Sequence, residues 1–164
     1  MLVAAVAAQS RGQVTLACAD PLARPLVDPN YLAVESDLDT LVAGTRLACS
    51  IAARRPLADL IVGDGAPGGL VDDEARLRDW VRSSLGTMFH PTGTCAMGGS
   101  AAAVCDPQLR VRGIDGLRVV DASVMPAGPR GNTNAATIAI AERAADLVRG
   151  TAPLTSLQVE VQGG

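Results

Sequence analysis

From Ser36 to Pro56 the chain reads SDLDTLVAGTRLACSIAARRP, and Leu38, Leu41, Val42, Thr45, Ala48 and Ala52 recur within it at helical spacing. That spacing gathers them on one face of an α-helix, which must be buried for the helix to persist. Ser36 is the expected N-cap, Asp37 and Asp39 suit the positive end of the helix dipole, and Pro56 stops the helix. A second amphipathic stretch opens with Asp72, Asp73 and Glu74. Its apolar stripe is Leu77, Trp80, Val81 and Leu85, with Gly86 as the expected C′ residue. A third helix is expected from about Ala135 to Arg149, ended by Gly150.

Between the helices, Gln13–Ala17 alternates polar and apolar residues as a strand does. Asp20-Pro21 and Asp28-Pro29 bracket a turn-rich connection. Leu109–Arg112 and Leu117–Asp121 read as two strands joined by a turn at Gly113–Gly116. These elements predict an α+β fold, an antiparallel sheet with helices packed on one side. A length of 164 residues suits one domain, expected over 1–150, followed by a short tail over 151–164. The connections are longer than a compact domain requires, which points to function or to a partner surface.

Composition removes several function classes. All 14 basic residues are Arg and are dispersed, and net charge is −3, so there is no nucleic-acid footprint and no polybasic membrane patch. Trp80, Tyr31 and Phe89 are the only aromatics, too few for a base-stacking platform. Cys18, Cys49, Cys95 and Cys105 form no C-x-x-C and share the chain with a single histidine, which argues against zinc. The N-terminal MLVAAVAAQ lacks a basic n-region and is too short to span a membrane. A cytoplasmic protein with reduced thiols is therefore expected.

Residues 63–68, GDGAPG, fit G-x-G-x-x-G. The context does not suit a dinucleotide fingerprint. Pro67 lacks an N–H for a phosphate, and the helix that follows begins with three carboxylates that would repel a pyrophosphate. The expected structure is a surface loop.

Two places can carry chemistry. His90 is the sole histidine, the side chain best suited to exchange protons near neutral pH, and it leads into a run of small residues that lets a ligand approach the backbone. A structural or surface histidine would read the same way. In PRGNTNAATIAIAERAADL, Asn132, Thr133 and Asn134 stand where a helix begins. They suit plain capping, and equally a helix N-terminus that stabilises an anion. Ala135, Ala136 and Ala139 leave that end open to close packing.

Taken together, FHPTGTCAMGG, DPQLRVRGIDGLRVVDASVMP and GNTNAATIAIAERAADLV resemble the C-terminal domain of the glucose–methanol–choline (GMC) oxidoreductases. SRGQVTL, DPLARPLVDPNYL and the helix before His90 extend the resemblance over residues 9–150. The family oxidises alcohols with FAD, so the resemblance implies an FAD-dependent alcohol oxidoreductase. It implies that His90, first in H-P-x-G-T-C-x-M-G, is the active-site histidine and that Asn134 is its partner. It also implies that Asp121 and Ala122 lie near the flavin ribityl and phosphates, and that Asn134, Ala135 and Thr137 lie at the flavin N1–C2 edge. By analogy Met88 and Phe89 flank the substrate.

The family's N-terminal FAD-binding part, with its true glycine fingerprint, is missing from this sequence. The resemblance therefore implies a catalytic C-terminal portion that works on a small alcohol with an FAD-binding N-terminal polypeptide as partner and is inactive alone, its last helix facing that absent domain. A remnant or binding module without flavin is the competing expectation, and hydroxynitrile-lyase chemistry a third.

Overall fold

The computed structural model describes residues 1–63 and 67–152. They form two compact units, Met1–His90 and the chain from Pro91 onward.

The first unit holds strands β1 (Gln13–Thr15) and β2 (Leu26–Asp28) and helices α1 (Glu35–Ala52) and α2 (Glu74–Ser83). Both helices bury the stripes expected of them. Leu38, Leu41 and Val42 of α1 meet Leu77 and Val81 of α2 in one cluster, with Trp80 and Leu85 packed on it. Each such aliphatic side chain contributes roughly 1.5–3 kcal/mol when fully buried. Arg78 of α2 reaches Glu35 and Asp39 on α1, and Arg46 of α1 reaches Glu74 on α2. These pairs are exposed, so they fix the register of the helices more than they stabilise them.

The start of α1 corrects the expectation that Ser36 caps it. The cap position is Val34, and no side chain of its own segment caps the helix. Instead the Val34 N–H donates to Ser10 Oγ at 3.1 Å. The Asp37 carboxylate, buried in the first turn, accepts from the N–H groups of Gln9 and Ser10, each at 2.8 Å, and from the Ser10 hydroxyl at 2.5 Å. The start of the helix is thus tied to a segment 24 to 28 residues away. In α2, Asp73 is the N-cap, its carboxylate accepting from the Arg76 N–H at 3.1 Å, so Asp72 and Asp73 precede the helix. The C-cap is Ser84, which leaves Gly86 one position beyond C′.

The sheet is smaller than expected. β1 and β2 pair antiparallel, Gln13 with Asp28, Val14 with Val27 and Thr15 with Leu26, and all six residues are exposed. The two helices pack on each other, not on this hairpin. Gly12 sits where a Cβ would fall 2.2 Å from the Asp28 carbonyl oxygen, so the hairpin closes only on a glycine there.

The second unit holds α3 (Asn134–Arg149), ended by Gly150 in the left-handed conformation. The expected strands at Leu109–Arg112 and Leu117–Asp121 do not form. Isolated bridges replace them: Arg110 opposite Arg118, and Cys105 opposite both Met97 and Val111. Leu109 has φ +65°, which breaks the extended backbone at the first residue of the expected strand. Leu109, Cys105, Val124 and Ala144 of α3 form the buried cluster of this unit, with Met97, Val119, Ile140 and Leu147 against it. The GDGAPG stretch, expected to be a loop, falls in part outside the described residues, as does the expected tail from residue 153.

Candidate functional site

His90 closes the first unit. Its segment leaves α2 without regular structure, and the Phe89 N–H donates to Thr87 Oγ1 at 3.0 Å. Phe89 takes a left-handed backbone, φ +58°, and is largely exposed; Met88 and His90 are exposed too.

From Pro91 the motif belongs to the second unit, where it is tied to the Asp121–Met125 segment. The Cys95 N–H donates to the Ser123 carbonyl at 3.0 Å and the Met97 N–H to the Val124 carbonyl at 2.8 Å. Gly93 has φ +89°, and a Cβ on it would lie 3.4 Å from the Met125 carbonyl oxygen. The residues after His90 and the segment bearing Asp121 and Ala122, separate in sequence, therefore share one hydrogen-bonded patch. Gly93 is a residue that the reading of the sequence passed over; its only signal was being the glycine of H-P-x-G.

Asp121 is the N-cap of a single 3-10 turn, Ala122–Val124, and its carboxylate accepts from the Ser123 N–H at 2.7 Å. That bond to Ser123 holds its carboxyl below the usual range, against the opposing effect of burial, so the group is an anion at neutral pH. Ala122 is half-buried. An ionised carboxylate beside small residues accepts hydroxyl groups and repels phosphates, which suits the polyol part of a ligand.

At the head of α3 Thr133 holds the cap position without a side-chain bond to the helix. Plain capping by Thr133 is therefore not what this end displays. The first helical bond is Thr137 N–H to the Thr133 carbonyl at 2.9 Å, and the Thr137 hydroxyl donates to the same oxygen at 2.8 Å. The helix geometry leaves the N–H groups of Asn134, Ala135 and Ala136 with no carbonyl one turn back. Asn134 and Ala135 are exposed, Ala136 and Thr137 half-buried. Thr137 has spent its donors inside the helix, so the donors at this end belong to Asn134–Ala136. Acidic residues are absent from this first turn, so nothing on the helix itself neutralises its positive end.

A flat ligand with an electron-rich edge fits such an end, because N–H donors and alanines allow close approach. The residues thus fit the flavin group of FAD: donors at Asn134–Ala136 and a hydroxyl-accepting carboxylate at Asp121. Among the described residues no helix is long and apolar enough to cross a membrane. All four cysteines are free, and burial pushes the Cys105 thiol up, away from reactivity.

Residues 8–141 match the family described as GMC oxidoreductase. An uncharacterised GMC-type oxidoreductase of Mycobacterium bovis is 50% identical over 147 residues, covering 88% of this chain and 28% of that protein. The alcohol dehydrogenase [acceptor] of Pseudomonas putida is 40% identical over 153 residues, 93% of this chain and 28% of its own. Among solved structures, a formate oxidase of Aspergillus oryzae studied for its FAD modification superposes with a TM-score of 0.78 at 31% identity, over 85% of this chain and 25% of that one. The chain spans about 28% of the length of the curated relatives it matches.

Proposed function

Because the chain belongs to the GMC oxidoreductase family, we propose that it is the substrate-side portion of an FAD-dependent oxidoreductase that oxidises the CH–OH group of a small alcohol. The observation that carries this reading is the tie between the residues that follow His90 and the Ser123–Val124 segment, which joins two of the motifs into one patch. FAD, when bound, supplies the acceptor for the hydride of the alcohol.

The chain's own residues have distinct tasks in this reading. His90 takes or shares the hydroxyl proton through a neutral imidazole nitrogen, which makes the carbinol hydride easier to remove. Asn134 donates its side-chain amide to the same oxygen and holds it in line; an amide cannot serve as the base. The pairing of His90 with Asn134 rests on the motif and on asparagine standing first in the last helix. The N–H groups of Asn134–Ala136 stabilise negative charge that develops at the helix end. Asp121 accepts from ligand hydroxyls, and Ala122 keeps the approach open. Thr137 offers a hydroxyl lone pair and closes the first turn that aims those N–H groups.

The test supplies the remainder of a GMC oxidoreductase, the FAD-binding part of the Pseudomonas putida relative, as a fusion or as a separate polypeptide. Flavin binding is read from its yellow absorbance and turnover from anaerobic bleaching by simple alcohols. Bleaching is expected. A folded, flavin-loaded assembly that no alcohol bleaches would favour a binding module and defeat the proposal. In the active assembly His90→Ala slows flavin reduction by about 10²–10⁴-fold, the size of a general-base contribution. An unchanged rate removes His90 from the mechanism.

A further inference from the structure

The turn between Val111 and Leu117 contains none of the residues assigned a role in alcohol oxidation. It lines a cavity of about 210 Å³ whose wall includes Arg110, Arg112, Arg118, Gly113 and Gly116. Arg110 and Arg118 face each other across an antiparallel bridge. Like charges directly opposite each other on paired strands destabilise the pairing. Arg112 follows two residues later, where the turn begins, and lines the same cavity. Three arginines converge there against two aspartates, Asp106 and Asp115, leaving a net charge of +1.

Local bonds account for only part of this charge. Arg110 is bound to Asp106, Nε to Oδ2 at 2.7 Å. Arg112 spends Nη2 on the Gly98 carbonyl at 2.7 Å, and Arg118 spends Nε on the Gln108 carbonyl at 3.3 Å. Carbonyl partners orient both guanidinium groups without neutralising them. Gly113 and Gly116, at φ +79° and +76°, give the turn a backbone that can curl its N–H groups around an anion.

We propose that this cavity binds the phosphate group of a small phosphorylated molecule, held by Arg112 and Arg118 with the turn N–H groups. Guanidinium groups match phosphate oxygens in geometry and charge, and a dianion screens the Arg110–Arg118 repulsion. A cavity of this volume has room for a phosphate group together with a short carbon skeleton. The proposal is independent of the alcohol-oxidising reading, and stands or falls on the isolated chain.

The test titrates the 164-residue chain with inorganic phosphate and with glycerol 3-phosphate, following backbone amide resonances by NMR at constant ionic strength. Saturable shifts centred on Gly113 and Gly116 are expected with both. Equal affinity for the two probes means the phosphate group alone is read, and tighter binding of the ester means a phosphorylated metabolite is the ligand. Replacing Arg112 and Arg118 by Gln weakens binding at least about tenfold, the loss of one hydrogen bond to a charged group. Asp115→Asn, an exposed change that puts no folding contact at risk, tightens binding severalfold by raising the local charge. Equal shifts from chloride at the same ionic strength, non-saturating shifts, or an Asp115→Asn variant with unchanged affinity would overturn the site.

Discussion

Leu77 is fully buried where α1 and α2 meet, in contact with a cluster that includes Leu38, Leu41, Val42 and Val81. Leu77→Ala removes three carbons, worth about 2.4 kcal/mol at roughly 0.8 kcal/mol each. The cavity left behind adds to this, because the neighbours are held by two helices and relax only in part; fully buried Leu→Ala changes cost about 2.7–5 kcal/mol in all. The expected loss is therefore about 3 kcal/mol, a large share of the ~5–15 kcal/mol that holds a domain folded. Leu47 makes the control: it lies on the partner helix α1 but is 62% exposed, so Leu47→Ala should shift stability by no more than about 0.5 kcal/mol. Urea unfolding followed by fluorescence reads both, since Trp80 is the only tryptophan and packs on this cluster. The midpoint should fall for Leu77→Ala with an unchanged slope. If Leu77→Ala costs no more than Leu47→Ala, the two helices do not share the core described.

Other outcomes follow from the same geometry. Burial alone would raise the Asp37 carboxyl, but the N–H groups of Gln9 and Ser10, the Ser10 hydroxyl and Arg11 outweigh it and hold the group below the usual range. Its stabilisation is then fully present above the unfolded value of about 3.9 and is lost as pH falls through the lower folded value. Asp37→Asn should lower the urea midpoint at neutral pH and converge with the unsubstituted chain in strong acid; an equal gap at both would refute the ionic role. Gly93→Ala should cost about 1–2 kcal/mol, since φ +89° disfavours a Cβ and the Met125 carbonyl oxygen already stands 3.4 Å from where it would lie. Thermal unfolding by circular dichroism measures this, and a neutral result would mean that the motif is not seated on Met125.

Much of the helical structure was legible in the sequence. The stripes on α1 and α2 are local periodicities, and a helix with such a stripe has one face that water disfavours. The αL residue Gly150 is equally local, because a C-terminal glycine acts on its own turn. The fate of Ser36 was not local. Val34 and Asp37 are served by Ser10 and Gln9, and no pattern within the helix announces a partner so far upstream. LRVR and LRVVD have the alternation of strands, yet they meet only in isolated bridges, and Leu109 leaves the extended backbone at the start of the first.

For the site, the sequence by itself determined the chemistry on offer: one histidine, an asparagine opening the last helix, and small residues around both. Those are properties of residue type and spacing; the family is marked by the longer motifs that contain them, FHPTGTCAMGG, DPQLRVRGIDGLRVVDASVMP and GNTNAATIAIAERAADLV. Only the tertiary structure decided which groups are available. It joined Cys95 and Met97 to Ser123 and Val124, and it brought Ser10 and Gln9 to Val34 and Asp37. Hydrogen bonds between residues distant in sequence depend on how the backbone comes together, and that is set by packing the whole unit rather than by any one segment.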